Sequence, residues 1–217
     1  MSTQTTTGTR QRSPRSDGIR TRRAILEEAA KLATVEGLDG LSLARLANEV
    51  GMSKSGLFAH FGSKEELQLA TVEAATGIFD SIVVEPSRSI PNGVGRLESL
   101  LDGFLRHVEI AVFPGGCFFA SVATEMDTHS GPVRDAAFAV VAQWTDALET
   151  AVQDAQAEGT IDARIDPHQL VFELDAYLML ANAQFVATAS KEPIERARRA
   201  IDARLDLVRT GRARPGS

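Results

Sequence analysis

Sulfur chemistry is nearly missing from this chain of 217 residues, which has one cysteine, Cys117. No disulfide can close within it and no C-x-x-C metal spacing exists, so a reducing, cytoplasmic setting is expected. Runs of alternating β-branched residues bounded by turns are missing too, which argues against a sheet-built fold. The opening residues MSTQTTTGTR are polar where a secretory leader needs an apolar stretch. The most apolar long segment, 170–187 (LVFELDAYLMLANAQFVA), is interrupted by Glu173, Asp175, Asn182 and Gln184. It is a poor membrane span and suits burial inside protein better, so no membrane partner is expected. Catalytic signatures are absent: no G-x-S-x-G, no P-loop, no complete G-x-G-x-x-G, and no E-x-x-H pair for a di-iron bundle. Glu125, Asp127 and His129 stand at i, i+2 and i+4, which does not bring all three to one helical face. The expectation is therefore no enzyme, no cofactor and no metal site.

What remains is helix. Hydrophobic residues make up 43% of the chain, enough for a real core. Ile25, Ala29, Leu32 and Ala33 line one face of a first helix at about 19–36, and Gly37 stops it. Leu43, Leu46, Ala47 and Val50 form a short second helix ended by Gly51. Ser53 caps a third that runs to about His60. The capping box Ser63-Lys-Glu-Glu66 opens a long fourth helix, with Glu85-Pro86 read as its end near Val84 and SRSIPNG as a loop. Five more helices are predicted at about 93–112, 115–129, 132–158, 167–190 and 193–210, punctuated by Pro and Gly. Residues 1–17 are read as a disordered basic arm and 212–217 as a disordered tail. Between them lie an N-terminal domain over 18–66 and a larger one over 67–211. The fold class is all-α, with about nine helices.

The net charge of −6 hides an asymmetry. Residues 1–67 hold 10 Lys and Arg against 8 Asp and Glu, the rest 13 against 21, so the basic part is also the part with short helices. Two short helices joined by a Gly-containing turn, the second barely two turns long, point to helix-turn-helix. Ala47 is small where the second helix crosses the first. Gly51 tolerates positive φ. Leu57 and Phe61 anchor the second helix at i, i+4, which frees Lys54, Ser55, Phe58 and Ala59 for a major groove. Ser42 caps the preceding helix and can donate to a phosphate. Lys64 sits at the first position of the fourth helix, where it and the free amides can hold a phosphate together. Arg10, Arg12, Arg15, Arg20, Arg22 and Arg23 make the start of the chain basic, and Arg22 and Arg23, at a helix start, are the better candidates for DNA.

These pieces resemble a known family. The stretch 22–70, with AAKLATVEG, LSLARLA, GMS and LFAHFGSKEEL, is similar to the DNA-binding domain of the tetracycline-repressor (TetR) family. The rest matches that family only in helical layout and length. The resemblance implies a homodimeric transcriptional regulator, usually a repressor, with a small-molecule pocket in its C-terminal helices. It carries phosphate contacts onto Ser42, Lys54, His60 and Lys64, and base reading onto Ser55 and Ala59. Ser53, the cap of the reading helix, is expected among the DNA-binding residues too. Phe58 departs from the family, which usually has Tyr there. Its ring can pack against a sugar or a thymine methyl but cannot donate to phosphate.

In the C-terminal part, Phe104, His107, Phe118, Glu125, Gln143, Trp144 and Tyr177 are candidate pocket residues for an unidentified effector: apolar walls with a few polar groups. Cys117 is read as a small buried hydrophobe. The last two helices are expected to form the dimer contact, through Leu170, Leu174, Tyr177, Leu178, Ala181 and Phe185 on one and Ile194, Ala197, Ile201, Leu205 and Val208 on the other. Two-fold symmetry makes the expected partner a pseudo-palindromic double-stranded operator. The expected mechanism is a population shift in which ligand moves the fourth helix. The alternative is a helical small-molecule binding or adaptor protein without DNA regulation.

Overall fold

The structure, a computed structural model, describes residues 14–210, with side chains from residue 18 onward. The expectations for Arg10, Arg12, the side chain of Arg15, and the C-terminal tail lie outside the described residues. The helices are α1 (Pro14–Glu36), α2 (Leu43–Glu49), α3 (Lys54–Phe61), α4 (Lys64–Phe79), α5 (Glu85–Arg88), α6 (Gly93–Glu109), α7 (Phe118–Met126), α8 (Pro132–Ala157), α9 (Pro167–Thr188) and α10 (Glu192–Val208). A single isolated β-bridge, Ile161 to Arg209, is the only extended pairing among the described residues. It fastens the α8–α9 turn to the end of α10.

The local signals act as their chemistry dictates. Ser42, Ser53 and Ser63 are N-caps, each accepting from the amide three residues on, which satisfies one orphan donor per helix. The capping box at 63–66 is half formed: the Ser63 amide donates to Phe61 O at 2.8 Å rather than to Glu66. Three boundaries differ from expectation. Helix α1 begins at Pro14 and so takes in the end of the predicted arm. Helix α7 begins only at Phe118, because Gly115 and Gly116 form a turn and the Cys117 amide donates to the buried Asn182 side chain at 2.8 Å. Glu85-Pro86 does not end the fourth helix. The rod passes through a π-helical turn, Asp80–Val84, into α5, with Pro86 in the first turn of that segment. A proline inside an α-helix clashes with the carbonyl four residues back; a widened turn just ahead of it relieves that clash.

Helices α1, α2 and α3 pack with the start of α4 into a small head. Helices α6 to α10 pack around the rest of α4 as a larger body, and α7 touches α1. One apolar core runs through both. In the body it is rich in edge-to-face aromatic pairs: Phe79 meets Phe104, Phe119 and Trp144 with ring centroids at 6.4, 5.9 and 5.5 Å. His107 joins this cluster, edge-on to Phe79 at 5.7 Å and to Phe113 at 5.8 Å.

His107 is 1% exposed, and neither ring nitrogen has a hydrogen-bond partner among the described residues. Burial pushes its pKa down to about 4, so the folded protein holds it neutral at pH 7. As pH falls from the ordinary histidine value through about 4, the unfolded chain takes up a proton that the folded chain refuses. The linkage removes up to about 3 kcal/mol of stability over that window. Urea unfolding from pH 7 to pH 4 should show that loss, and His107→Leu should make the curve shallower. Parallel curves for the two proteins would contradict this account.

Candidate nucleic-acid interface and adjoining cavity

Helix α3 is held from behind. Leu57 and Phe61 are buried, as are Leu46 and Ala47 of α2, the helix that α3 packs against. The turn between α2 and α3 closes through Met52 N to Ala47 O at 2.9 Å, with Gly51 at φ 66°. That leaves Lys54, Ser55 and Ala59 exposed, and Phe58 53% exposed. Ser53 accepts from Gly56 N at 3.1 Å and lies 3.2 Å from the Ser55 hydroxyl. An exposed aromatic ring among small side chains on a helix two turns long is a face shaped for close approach.

The flanking residues have partners of their own. Ser42 accepts from Arg45 N at 3.2 Å. Arg22 donates to His60 O at 2.8 Å and lies 4.4 Å from the centre of the Phe61 ring. It is therefore a clasp between α1 and the C-terminal end of α3, and its guanidinium is committed inside the head. Arg23 pairs with Glu27 at 2.8 Å and is well exposed. His60 is half-buried, its ring tilted against Phe61. Lys64 donates to Asp39 O at 2.6 Å and to Asp39 Oδ1 at 3.1 Å. The Lys64 ammonium holds the Asp39 carboxyl below the usual carboxylate range. Exposed pairs of this kind contribute about 0–1 kcal/mol, so this contact adds little to stability.

Glu125 is not where a pocket residue belongs. Its carboxylate leaves the body and binds the head, taking Leu38 N on Oε2 and Asp39 N on Oε1, both at 2.7 Å. From the other side Gln68 of α4 donates to Leu38 O at 2.7 Å. Gly37 permits the arrangement twice over. Its φ is 84°, and a Cβ there would stand 2.8 Å from Glu125 Oε1. The turn carrying the Lys64 partner is thus fixed by one carboxylate of α7.

The same helix walls a cavity of ≈ 380 Å³. Phe79, Phe104, Phe119 and Trp144 supply its rings; Cys117, Thr124, Asp127, Asp175 and Met179 also line it. A second cleft of ≈ 450 Å³ adjoins across Phe79, Val140 and Trp144 and is lined by Gln143. Of the predicted pocket residues, Phe104 and Trp144 are at the cavity and Gln143 is next door. His107 and Phe118 are buried without lining it: Phe118 is spent packing on Phe113 and Phe119. Tyr177 is elsewhere, in a shallow groove with Ala197 and Ala200 of α10. Phe119 and Asp175 line the cavity without a pocket signal of their own in the sequence. Asp175 accepts from Trp144 Nε1 at 3.0 Å, and burial raises its pKa while that bond opposes the rise. Burial pushes the Cys117 thiol up to about 11, which leaves it protonated and unreactive.

The predicted dimer residues also need correction. Leu170, Leu174, Leu178, Ala181, Ile194, Ala197, Ile201, Leu205 and Val208 are all 5% exposed or less. They fasten α9 and α10 to their own protomer and leave nothing for a partner to touch. The exposed apolar groups lie on the opposite faces: Phe172 at 72%, Leu180 and Val186 on α9, and Leu207 at 68% on α10. Only Tyr177 and Phe185 of the predicted set keep partial exposure.

A short exposed reading helix on a capped two-helix unit, tied to a helical body with an aromatic cavity, defines a helix-turn-helix DNA-binding transcriptional regulator with a ligand-binding domain. The chain belongs to the TetR family: the family described as "Bacterial regulatory proteins, tetR family" matches residues 25–71, and "Tetracyclin repressor-like, C-terminal domain" matches 93–201. A TetR transcriptional regulator from Chloroflexus aurantiacus is 26% identical, covering 89% of this chain and 98% of its own, with a TM-score of 0.78. A TetR-family regulator from Cytophaga hutchinsonii shares the fold at 20% identity and a TM-score of 0.77, over 94% of this chain and 100% of its own. AibR, solved with isovaleryl coenzyme A and operator DNA, shares it at 24% identity and 0.68, over 87% and 97%. No curated protein matches the chain.

Replacing Glu125 with Gln leaves one of the two turn amides without an acceptor, a loss of about 1–3 kcal/mol. The variant should melt earlier, and hydrogen exchange should quicken at the Leu38 and Asp39 amides. Unaltered exchange at both amides would refute the clamp.

Proposed function

We propose that the protein is a homodimeric repressor that releases a pseudo-palindromic operator when a small molecule enters the body. The observation that carries the reading is the outer face of α3. Lys54, Ser55, Phe58 and Ala59 stand exposed on a helix whose other side is locked into the head. In this reading Ser55 and Ala59 meet base edges, Phe58 packs on a sugar or a thymine methyl, and Lys54, His60, Ser42 and Lys64 grip phosphates. Arg23 adds an exposed charge at the edge of the head, whereas Arg22 acts indirectly by clasping α3. The presence of operator DNA and an acyl-coenzyme A in the AibR structure supports both kinds of partner for this fold.

Two heads are needed because so small a reading face carries few base contacts. Phe172, Leu180, Val186 and Leu207 supply the surface for a second copy. By length and composition the rods Lys64–Arg88 and Pro167–Thr188 both qualify as membrane spans. Yet both are built into the bundle, and Glu173 and Asp175 sit on the second, which favours a protein partner over lipid.

The effector's route follows from α7. Ligand packing against Phe119, Ala120, Ala123 and Thr124 displaces the helix that carries Glu125. The turn 37–39, Lys64 and the start of α4 then shift together. A ligand achieves this only through its difference in affinity for the two states, so operator must weaken ligand binding by the factor that ligand weakens operator binding.

Gel shifts against DNA flanking the protein's own gene, across a salt series, test the reading. Lys64→Ala should weaken binding about equally on specific and random DNA and reduce the salt slope by about one. An unchanged slope removes the phosphate role from Lys64, and absence of any sequence-specific shift favours a helical binding protein without DNA regulation. Phe172→Lys together with Leu207→Lys should yield monomers by light scattering and lose operator affinity; an unaltered dimer mass would place the interface elsewhere.

A further inference from the structure

Among the described residues, the wider cavities divide by charge. The cleft of ≈ 610 Å³ beside Arg22, Arg23, Glu27 and Glu73 and the one beside Arg88 and Arg96 both mix the two signs. The aromatic cavity has no Lys, Arg or His in its lining, and its two ionisable acids are Asp127 and Asp175. Four rings form its walls, and Asp175 stands against them, partly buried.

Asp175 has less than a carboxylate needs. Oδ1 accepts one hydrogen bond, from the neutral Trp144 indole, and Oδ2 has no hydrogen-bond partner among the described residues. No cation pairs with it there. A carboxylate taken from water into apolar surroundings is unfavourable unless it is paired and hydrogen-bonded. The raised pKa of Asp175 reflects the same shortfall. Trp144 uses its N–H on Asp175, so the indole meets a ligand with its ring rather than with its donor. Aromatic faces carry negative quadrupole charge and attract cations, most strongly where water is excluded.

We propose that this cavity binds an amphipathic cation, an ammonium group on an apolar or aromatic body, with the ammonium on Asp175 and the body among Phe79, Phe104, Phe119 and Trp144. The proposal rests on the reading of the body as the effector-binding domain and names the class of effector. The space, ≈ 380 Å³, is within the usual range for small-molecule sites. Asp127, exposed at the end of α7, adds negative charge on the same side. An anionic effector would meet two acids and no base.

Trp144 is the chain's one tryptophan and lines the cavity, so its fluorescence reports occupancy directly. The full chain is titrated with 4-phenylbutylamine, 4-phenylbutanol and 4-phenylbutyrate, which share one body and differ in charge. The amine should bind at least about tenfold more tightly than the alcohol, a difference of about 1.4 kcal/mol, and the butyrate should not bind. Asp175→Asn keeps an acceptor for Trp144 and should cancel the amine's advantage over the alcohol. Equal affinities, preference for the anion, or no quenching by the amine overturns the proposal with the wild-type protein alone. So does an undiminished preference in an Asp175→Asn protein that melts cooperatively. A gel shift run without any probe reports separately on the DNA-binding reading, so failure of one is not failure of the other.

Discussion

Across the boundary between head and body, one carboxylate fixes the turn that leads into the reading unit. Glu125 projects from α7 and takes the amides of Leu38 and Asp39, two charge-assisted bonds to backbone that would otherwise lack partners. Everything at the reading end depends on where that turn lies. Ser42 starts α2 three residues later. Asp39 holds Lys64, and Lys64 opens α4, the rod that runs back into the body. The helix that supplies Glu125 is also a wall of the aromatic cavity. A change in cavity filling is therefore one helix away from the turn, with no chain of intermediates to invoke.

The reading helix illustrates how little local stability a functional element needs. Eight residues, with a glycine among them, do not make a stable helix in water. Its rear pair, Leu57 and Phe61, is buried, and Arg22 closes its C-terminal end through the His60 carbonyl. Because packing supplies the stability, the front can be small. Ser55 and Ala59 stand exposed and add little cohesion, and the packing behind them leaves Phe58 in solvent.

Much of the architecture was legible in the sequence, because helix ends are decided by nearest neighbours. The Ser caps at 42, 53 and 63 and the stops at Gly37 and Gly51 work over three or four residues, within the reach of a pattern. Pro86 was misread for a related reason: a proline does end a regular α-helix, but a π turn is an equally local solution that the sequence does not announce. Glu125 and Asp175 are both visible in the sequence as acids in largely apolar helices, Glu125 close to Asp127 and Asp175 close to Glu173. The pattern offers the first as a pocket residue and the second only as evidence against a membrane span. What distinguishes them is a partner far along the chain, Leu38 and Asp39 for the first and Trp144 for the second.

The amphipathic stripe of α10 marks the limit of periodicity. Ile194, Ala197, Ile201, Leu205 and Val208 form a regular apolar face, and a regular face says that something covers it. The fold shows that the cover is the protomer's own core, leaving the irregular set Phe172, Leu180, Val186 and Leu207 outside. The sequence alone determined helix positions, caps, the reading unit and the family, since those depend on short-range chemistry and a contiguous motif. Tertiary structure decided which apolar face is inside, which acid bridges the domains and which lines the cavity. Burial and long-range hydrogen bonds belong to the packing of helices and have no period along the chain.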